Sequence, residues 1–383
     1  MKKIVIVGAG ISGLYLANLF KENPNYEVTI YEKNSSIKLD EGYGIQLSVN
    51  SIKLLNNIGF NNFNKEEIFN PEKIDFYEIK QENKICDLNI SDFNSKDCKY
   101  TAIKRSKLVG FLKDRLDDNI IKYDYNITNI ESNSGQISLT FNNNQNTVCD
   151  YLVISDGVFS KCKSLITNNK INSSYNNSIA IRGSISRDHL NNLNEKNISL
   201  FLSSDFHYVL YPLSSKNEDF NFIGILNYKL TANELNNHEL FIEKNFIKNI
   251  KEQLQNKISQ SILDNLINLK CFPVFVSKEL YRPNDNIFLV GDAFFAFPPS
   301  FAQGASQSIE GASELFSNIL NNSNDYYNER TKKVKMINNR SKFNQFAFHL
   351  SNPLVIFFRN IFLKLFVKNK KFLEGYLGRI YKN

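Results

Sequence analysis

The sequence predicts an α/β fold in which a parallel sheet, assembled from well-separated segments, is interrupted by a second and mostly antiparallel β-sheet domain. The first observation is a strand, glycine turn, helix and strand within residues 4–32. The second is a pair of later apolar strands, within 150–161 and 286–320, that each run into a turn. The third is a β-rich stretch, from about 176 to 275, that lies between these two strands. This order implies one discontinuous domain with another inserted into it.

The first unit is an apolar strand that runs directly into three spaced glycines. Residues 4–7 read IVIV, a short continuous apolar run that is typical of a strand covered on both faces. Gly8 then permits a tight turn, Gly10 lets the backbone approach a pyrophosphate, and Gly13 lets the following helix pack closely on the strand. The pattern predicts a dinucleotide site.

The helix after the turn and the next strand extend this site. Ile11 and Ser12 begin the helix, whose first N–H groups and positive dipole end face the phosphates. Glu32 ends the second strand and Lys33 follows it. A carboxylate at this position accepts hydrogen bonds from a ribose with a free 2′-hydroxyl. The site therefore favours FAD or NAD over NADP, and the glycine turn alone leaves both open.

The middle of the chain predicts further elements in order. Residues 41–60 indicate a glycine-punctuated loop followed by a helix, and residues 74–90 indicate two strands around a polar turn. An amphipathic helix is predicted just after Arg105, and a long helix over about 233–256.

A loop rich in proline and glycine follows the third apolar strand. It resembles the corresponding loop of the class A flavin-dependent monooxygenases, the para-hydroxybenzoate hydroxylase family, whose usual wording is close to GDAAH-x-x-x-P followed by QG. Phe295 stands where a histidine is common in that family. The positions that match are Gly291, Asp292, Ala293, Pro299, Gln303 and Gly304.

Three other stretches resemble the same family in the same order along the chain. They depart from it at Val49, where proline is usual, at Ser155, where alanine is usual, and at Lys163, where arginine is usual. The resemblance covers roughly residues 2–320 and is nearest in wording to the salicylate-hydroxylase-like branch. The three stretches are GYGIQLSVNSIKLLNNIG (42–59), IKRSKLVGFL (103–112) and VISDGVFSKCK (153–163).

The resemblance implies a Rossmann-type, glutathione-reductase-like FAD-binding domain and the activity of an FAD-dependent monooxygenase. NADH or NADPH would reduce FAD as a transient partner. O2 would then form a flavin C4a-hydroperoxide that hydroxylates a small aromatic substrate.

The resemblance also implies roles for individual residues. Arg105 would contact the flavin side of the cofactor and its phosphates, and Asp292 the ribityl or pyrophosphate part. Asp156 and Gly157 belong to a motif that serves FAD and the nicotinamide cofactor, and the helix at Gly304 would aim its positive end at the flavin N1 and C2 carbonyl region. The whole predicted cofactor-binding set is Gly8, Gly10, Ile11, Ser12, Gly13, Glu32, Lys33, Gln46, Arg105, Asp156, Gly157, Asp292, Pro299, Gly304 and Ala305.

The substrate pocket has candidates but no assigned catalytic residue. Arg182, His207 and Tyr211 lie in strand-like segments that the fold would place over the flavin, where each could bind a carboxylate or a phenol. Phe297 belongs to an aromatic cluster, with Phe294, Phe295 and Phe301, that fits either a wall excluding water from the flavin or ordinary core.

Composition excludes other classes of protein. The chain has 383 residues and a net charge of +7, with basic residues scattered through asparagine-rich sequence, so no nucleic-acid partner is expected. The five cysteines lack a CxxC pair and the four histidines do not complete a zinc-ligand spacing, so reduced thiols and no metal are expected. Neither a membrane span nor a signal peptide is predicted, which favours the cytoplasm.

The C-terminal tail and two alternative functions stay open at this point. Residues 352–383 alternate apolar clusters with basic residues, which fits either a helix pair packed on the body or a segment seated on an anionic membrane surface. The second interpretation would suit an isoprenoid or quinone-precursor hydroxylase or epoxidase at the inner membrane face. A non-catalytic flavin-binding redox sensor is the alternative of another class, suggested by Phe295 and the altered Asp-Gly motif.

The same segments predict the domain boundaries. The FAD-binding domain would consist of residues 1–70, 100–175 and 276–340, and the substrate domain of residues 71–99 and 176–275. Residues 341–383 would form a C-terminal helical segment.

Overall fold

The structure is a computed structural model and describes residues 1–39, 43–79, 83–133, 135–190, 193–216, 218–237, 239–283 and 286–382. Its strands are β1 (Lys2–Val7), β2 (Tyr26–Tyr31), β3 (Gly44–Leu47), β4 (Ile68–Phe69), β5 (Lys73–Glu78), β6 (Asn83–Asn89), β7 (Thr101–Lys104), β8 (Ile121–Lys122), β9 (Ile127–Asn133), β10 (Gln136–Phe141), β11 (Asn146–Cys149), β12 (Tyr151–Ile154), β13 (Ser173–Ser186), β14 (Ile198–Ser203), β15 (Phe206–Pro212), β16 (Asp219–Asn227), β17 (Ile267–Ser277) and β18 (Ile287–Leu289).

The α-helices connect these strands and form the C-terminal part of the described chain. A short π-helical segment, Glu374–Gly378, joins the last two. The α-helices are α1 (Ile11–Phe20), α2 (Val49–Asn56), α3 (Arg105–Lys113), α4 (Lys161–Ile166), α5 (Ala232–Asn236), α6 (Lys244–Leu254), α7 (Gln260–Asn265), α8 (Gly304–Leu320), α9 (Tyr326–Phe348), α10 (Pro353–Phe366), α11 (Lys370–Leu373) and α12 (Arg379–Tyr381).

A five-stranded parallel sheet carries the glycine turn. Its order is β18-β12-β1-β2-β8, and every neighbouring pair runs parallel. Four consecutive residues of β1, Ile4 to Val7, are buried, as expected of a strand covered on both faces. In an open sheet of this kind ligands bind at the carboxyl ends of the strands, which is where the turn after β1 lies.

A seven-stranded sheet forms the inserted region. Its order is β17-β13-β16-β15-β14-β5-β6, and all neighbours are antiparallel except β14 and β5. The predicted α/β fold class, with a Rossmann-type parallel sheet and a mostly antiparallel second sheet, is confirmed. The exact domain boundaries remain a prediction.

The predicted loop before the second helix is wrong in part, because residues 44–47 form β3. This strand pairs antiparallel with β7, and the Gly44 N–H donates a hydrogen bond to Asn221 Oδ1 at 2.7 Å. A Cβ on Gly44 would lie 2.5 Å from a methyl carbon of Leu213. The absence of a side chain at Gly44 thus lets this strand approach the seven-stranded sheet closely. The first part of the predicted loop, residues 41 and 42, lies outside the described residues.

The long helix predicted over 233–256 is also wrong, because the segment is divided. A capping box between Thr231 and Glu234 begins α5, but Asn237 is extended (φ −92°, ψ 90°) and ends it. Asparagine favours caps and turns over helix interiors because its side chain competes for backbone hydrogen bonds. A separate helix, α6, then begins at Lys244.

The C-terminal helices differ in how they pack. Residues of α9, α11 and α12, among them Ile337, Leu373 and Ile380, are buried in one core with the seven-stranded sheet. In α10 the only buried residue is Arg359. Within the described ranges, no helix has the length and apolar character needed to cross a membrane.

Candidate active site

The glycine turn is tightly packed on two sides and open on the third. Gly8 has φ +96°, and a Cβ there would lie 2.8 Å from the Ser155 carbonyl oxygen. A Cβ on Gly13 would lie 2.2 Å from the Gly8 carbonyl oxygen, so α1 packs directly on the turn. At Gly10, no atom of the described residues other than the glycine and its chain neighbours lies within 4 Å of the corresponding point. The turn therefore leaves free space where a pyrophosphate approaches the backbone.

Glu32 lies beside this turn, as the sequence predicts. Its Oε2 accepts a hydrogen bond from the Ala9 N–H at 2.9 Å, and its Oε1 accepts from the Asn34 N–H at 3.0 Å and from Asn34 Nδ2 at 2.7 Å. These contacts fix the carboxylate beside the glycine turn. Lys33, in contrast, is exposed.

The loop after β18 packs against the start of α1. Gly291 has φ +61°, and a Cβ there would lie 2.7 Å from Ser12 Oγ. Ser12 is buried and its neighbour Ile11 is half-buried. The loop that carries Asp292 therefore meets the helix end that the glycine turn exposes.

Asp292 supplies the carboxyl group of this loop, and its pKa is raised. The cavity walls partly desolvate Asp292 and raise its pKa to about 6, although the side chain is exposed to the open cavity, while the positive charges of Arg105 and Lys163 act to lower it. Asp292 and Arg105 line the same cavity. The Arg105 N–H donates to the Tyr43 carbonyl oxygen at 2.8 Å, which fixes the start of α3 against the residue before β3.

The Asp-Gly motif is joined to both neighbouring loops. Ser155 Oγ donates to the Val7 carbonyl oxygen at 2.7 Å, so the serine that replaces the usual alanine stabilises the glycine turn. Asp156 Oδ2 accepts from the Cys162 N–H at 3.1 Å, and burial raises the pKa of Asp156. Gly157 has φ +83°. These contacts place the motif beside the glycine turn.

The first turn of α8 faces the cavity. Gly304 and Ala305 line the cavity, and a Cβ placed on Gly304 would have no described atom within 4 Å beyond its own helix and chain neighbours. Ser300 Oγ and Gln303 Nε2 are buried without a hydrogen-bond partner in the described chain, and both residues line the cavity with Pro299. Unpaired donors beside a helix N-terminus suit the carbonyl and phosphate oxygens of a bound group.

A cavity of about 1170 Å³ joins this loop to the inserted sheet. Ligand pockets are commonly about 300 to 1,000 Å³, so this volume suits a site shared by a cofactor ring and a substrate. The cavity brings together Gln46, Arg105, Asp292, Pro299, Gly304 and Ala305 with all four substrate-pocket candidates, Arg182, His207, Tyr211 and Phe297. The other predicted cofactor residues, Gly8, Gly10, Ile11, Ser12, Gly13, Glu32, Lys33, Asp156 and Gly157, do not line it.

Arg182 and Tyr211 are fixed by contacts with β3 and the residue before it. The Arg182 guanidinium lies over the Tyr43 ring, 5.0 Å from its centroid, and Nη1 donates to the Gly44 carbonyl oxygen at 3.4 Å. Gln46 Oε1 accepts from the Tyr100 hydroxyl at 2.8 Å. Burial raises the pKa of Tyr211 to about 12, so its hydroxyl is neutral, and Gln46 hydrogen-bonds to it.

The four phenylalanines of the aromatic cluster fall into two pairs, one at the cavity wall and one in the core. Phe297 and Phe301 line the cavity and are only partly buried. Phe294 and Phe295 are buried in the core, and the Phe295 ring packs on Phe297 with centroids 5.6 Å apart. The residue in the usual histidine position is therefore a core side chain.

Three residues at or behind the cavity wall have no counterpart in the sequence predictions. Asn344 lines the wall from α9, whereas Asn221 and His349 lie behind it: Asn221 holds β3 and His349 contacts His207. Because asparagine is abundant in the chain, the sequence gives no reason to single out Asn221 or Asn344. His349 follows the stretch that resembles the family, so no motif indicates it.

Comparison with known proteins gives consistent results. The sequence profile of a protein family described as "FAD binding domain" matches residues 1–325. The chain is 21% identical over 325 residues to 6-hydroxynicotinate 3-monooxygenase of Pseudomonas fluorescens, which covers 82% of this chain and 81% of that protein. It is 24% identical over 216 residues to a 3-amino-4-hydroxybenzoate 2-monooxygenase of Streptomyces platensis, over 55% of this chain and 53% of that protein.

Solved structures share the fold at lower sequence identity. HpxO of Klebsiella pneumoniae, complexed with FAD and uric acid, superposes with a TM-score of 0.80 at 15% identity, over 98% of this chain and 95% of that chain. A salicylate hydroxylase substrate complex superposes with a TM-score of 0.79 at 15% identity, over 100% of this chain and 95% of that chain.

Proposed function

Because the chain belongs to the FAD binding domain family, we propose that it is an FAD-dependent monooxygenase that hydroxylates a small aromatic substrate. The family predicted from the sequence motifs, and FAD as its cofactor, are confirmed. The observation that carries the proposal is the single cavity shared by the Asp292 loop, the start of α8 and the seven-stranded sheet. A cofactor ring held by the Asp292 loop and the start of α8 would face a substrate held by the seven-stranded sheet.

The residues present fit FAD. The free space at Gly10 would admit a pyrophosphate, and Glu32, held beside the glycine turn by the Ala9 N–H, would accept hydrogen bonds from a ribose. The unpaired Gln303 Nε2 and the open N-terminus of α8 offer donors at the other end of the site. We therefore assign the ADP end of FAD to the glycine turn and the ring end to the cavity.

The protein's own groups have three tasks in this reaction. When bound, FAD accepts electrons from NAD(P)H and activates O2. Arg105 and the positive end of α8 stabilise negative charge at the ring end of the site. The apolar walls of the cavity, including Phe297, exclude water from the reacting atoms, which limits side reactions. Arg182 orients the substrate.

We propose an anionic aromatic substrate because Arg182 lines the cavity within the seven-stranded sheet. Its guanidinium is stacked on Tyr43 and keeps a fixed position, and a planar guanidinium matches a carboxylate in shape and charge. The small-molecule class is in keeping with the 6-hydroxynicotinate and uric acid in the names of similar proteins.

A substrate screen tests this function. Purified protein should be yellow, and NADH or NADPH consumption should rise when a suitable aromatic acid is added. Product mass should increase by one oxygen atom, which separates hydroxylation from uncoupled peroxide release. Colourless protein that does not take up FAD contradicts the proposal. Slow oxidation of reduced protein that no aromatic acid accelerates, with no oxygenated product, would favour the redox sensor.

A second candidate, a hydroxylase or epoxidase working on an apolar isoprenoid or quinone precursor at a membrane surface, is supported by α10. Eight of the fourteen residues of this helix are large, exposed hydrophobic residues. They divide into two rows at helical spacing. Val355, Phe358, Phe362 and Phe366 line the cavity, whereas Leu354, Phe357, Ile361 and Leu365 do not.

The charge of the chain favours an anionic bilayer as the partner of the outer row. Residues 341–383 contain eight Lys or Arg and one Glu, which equals the whole net charge of +7. The remaining 340 residues contain 38 basic and 38 acidic residues and are therefore neutral overall. A basic segment with a solvent-facing apolar row is typical of a helix that lies in a membrane interface.

Vesicle sedimentation tests the membrane contact. The protein should pellet with phosphatidylglycerol vesicles and not with phosphatidylcholine vesicles. The double variant Phe357→Gln/Leu365→Gln should lose this binding, whereas Ile242→Gln/Ile267→Gln, which changes exposed residues elsewhere, should retain it. Equal pelleting of both variants removes this candidate. Self-association that only the first variant abolishes would instead assign the row to a second copy of the chain.

A further inference from the structure

The cavity extends across the whole width of the seven-stranded sheet. Every strand of this sheet contributes lining residues, from Phe272 in β17 at one edge to Leu88 in β6 at the other. Neighbouring strands lie about 4.8 Å apart, so the six spacings between these edges correspond to about 29 Å. The outermost heavy atoms of a hydroxybenzoate lie closer together than two such spacings. A small aromatic acid therefore fills only one part of this space.

The charged groups of the proposed reaction lie at the β17 end of the cavity. The Tyr43 ring contacts Phe272 of β17, with centroids 5.5 Å apart, and the guanidinium of Arg182 of β13 lies over it. The Arg105 N–H donates to the Tyr43 carbonyl oxygen at 2.8 Å, and Arg105 lines the cavity with Asp292. The proposed positions of the cofactor ring and of the substrate carboxylate thus share this end.

The far half of the cavity lies between α10 and the edge formed by β14, β5 and β6, and its walls are mainly hydrocarbon. Helix α10 reaches this edge, where Asn360 Nδ2 donates to Glu78 Oε2 in β5 at 3.4 Å. Arg359 brings a charge to this half, but its guanidinium donates to Asn360 Oδ1 at 2.8 Å and to the Ala347 carbonyl oxygen at 3.3 Å. The sheet side of the far half consists of Ile74, Phe76, Leu88, Ile198 and Leu200.

The inner row of α10, which consists of Val355, Phe358, Phe362 and Phe366, borders this half without filling it. All four residues line the cavity, and their exposed fractions are 43%, 56%, 53% and 37%. Apolar surface left in water costs about 25 cal/mol per Å². An apolar group that continues from a ligand in the β17 end would cover these side chains and recover that free energy.

We propose that the far half of the cavity binds an apolar tail of the substrate. The substrate class is then an aromatic acid whose ring bears an alkyl or alkenyl chain. The carboxylate lies at Arg182, and the chain runs past β14 and β5 to the inner row of α10. The inference rests on the proposed function, since it specifies the substrate of the same site. It does not require a membrane, because the row proposed for membrane contact is the outer one.

A chain-length series tests the inference. Calorimetry measures the dissociation constants of the protein, in the presence of excess FAD, for 3- and 4-alkoxybenzoates from methoxy to hexyloxy. In at least one of the two series, each added methylene should lower the dissociation constant about fourfold until the far half is filled. One ligand should bind per chain. A gain below about twofold per methylene in both series overturns the inference.

Variants of the two rows of α10 locate the chain. Phe358→Gln/Phe362→Gln places polar groups on the inner row and should reduce the gain to below about twofold per methylene. Phe357→Gln/Leu365→Gln changes the outer row of the same helix, which does not line the cavity, and should keep the full gain. A full gain in the inner-row variant, or an equal loss in both variants, contradicts the inference.

A substitution on the sheet side tests whether the chain lies between the two walls. Ile74→Trp narrows the far half from β5, so it should weaken the binding of the hexyloxy acid at least about tenfold more than that of the methoxy acid. Ile267→Trp makes the same change at an exposed site in β17 outside the cavity and should not alter this ratio. An unaltered ratio in Ile74→Trp places the chain elsewhere and overturns the inference.

Failure of the proposed function gives a different result. FAD content and oxygenated product are measured on the same samples, so protein that takes up no FAD or forms no oxygenated product refutes the monooxygenase. The chain-length dependence is a binding measurement that needs no turnover, so it decides the inference in either case.

Discussion

Lys163 Nζ donates a hydrogen bond to the Ala293 carbonyl oxygen at 3.0 Å and thereby joins the Asp156 turn to the Asp292 loop. The lysine is 3% exposed, and its charge acts with that of Arg105 to lower the pKa of Asp292. One buried cation thus connects two stretches that the chain brings together from 130 residues apart. Lys163 stands where the family usually has arginine, and it still brings a basic group to the Ala293 carbonyl oxygen.

Removal of the Lys163 cation should weaken FAD binding. Lys163→Met leaves the Ala293 carbonyl without its donor and loosens the Asp292 loop, so the dissociation constant for FAD should rise about tenfold. Flavin fluorescence titration of apo-protein measures this change. Lys161→Met, at an exposed site on the same helix, should bind like wild type. Equal affinity of the two variants would show that the Lys163 bridge does not support the site.

Two glycines of the turn should respond to alanine in opposite ways. A Cβ on Gly13 would lie 2.2 Å from the Gly8 carbonyl oxygen, so Gly13→Ala should lower the Tm of the apo-protein severely or prevent its folding. Gly10 has open space and an ordinary φ of −83°, so Gly10→Ala should leave the apo Tm close to wild type and still reduce FAD affinity. Thermal unfolding and FAD titration of both variants separate packing from binding. A Gly10→Ala variant with unchanged FAD affinity contradicts the assignment of the pyrophosphate to this space.

Asp292 should make the stability of the apo-protein depend on pH. Its pKa is raised from 3.8 to about 6, so the folded protein holds this proton more tightly than the unfolded chain. The resulting stabilisation is complete below about pH 4 and is lost as pH rises through about 6. Asp292→Asn remains neutral and should therefore unfold at the wild-type Tm near pH 4 and at a higher Tm near pH 7.5. Asp118→Asn, a control at a carboxylate that does not line the cavity, should show no such crossover, and a lower Tm for Asp292→Asn at pH 7.5 contradicts the prediction.

Arg182 should affect substrate binding more than turnover. Arg182→Met removes the guanidinium above Tyr43, so the KM for aromatic carboxylates should rise at least about tenfold while kcat changes little. Steady-state kinetics under saturating NAD(P)H measure both constants. Arg187→Met removes an exposed arginine that pairs with Glu195 and should leave both constants unchanged. A fall in kcat at constant KM would assign Arg182 to the chemical step instead.

The site could be predicted from the sequence where local geometry determines it. The positive φ of Gly8 and the close packing at Gly13 are requirements of the strand, turn and helix in which they lie, so a short pattern reveals them. The Asp292 loop follows from a motif with fixed spacing. The contact between His207 and His349 joins residues 142 positions apart, and no periodicity or motif connects them.

The errors in the fold have the same physical origin. Residues 44–47 become a strand because β7 and the Asn221 amide bind them, and both lie far along the chain. The segment 233–256 divides at Asn237, where local asparagine chemistry overrides the helical spacing of apolar residues. The pattern of apolar residues alone thus leaves the secondary structure of these two segments ambiguous, and tertiary contacts and turn-forming residues determine it.

The order of the parallel sheet determines when the protein can mature during synthesis. β1 can pair with β2 early in synthesis, but its other edge must wait for β12, and the outer edge of β12 stays unpaired until residue 289 has left the ribosome. Asp292 and the first turn of α8 emerge later still. A nascent N-terminal fragment therefore lacks two of the segments that line the cavity, and its open strand edge needs protection from aggregation. Cells short of flavin would accumulate full-length apo-protein, because translation is complete or nearly so before the cofactor can contribute to folding.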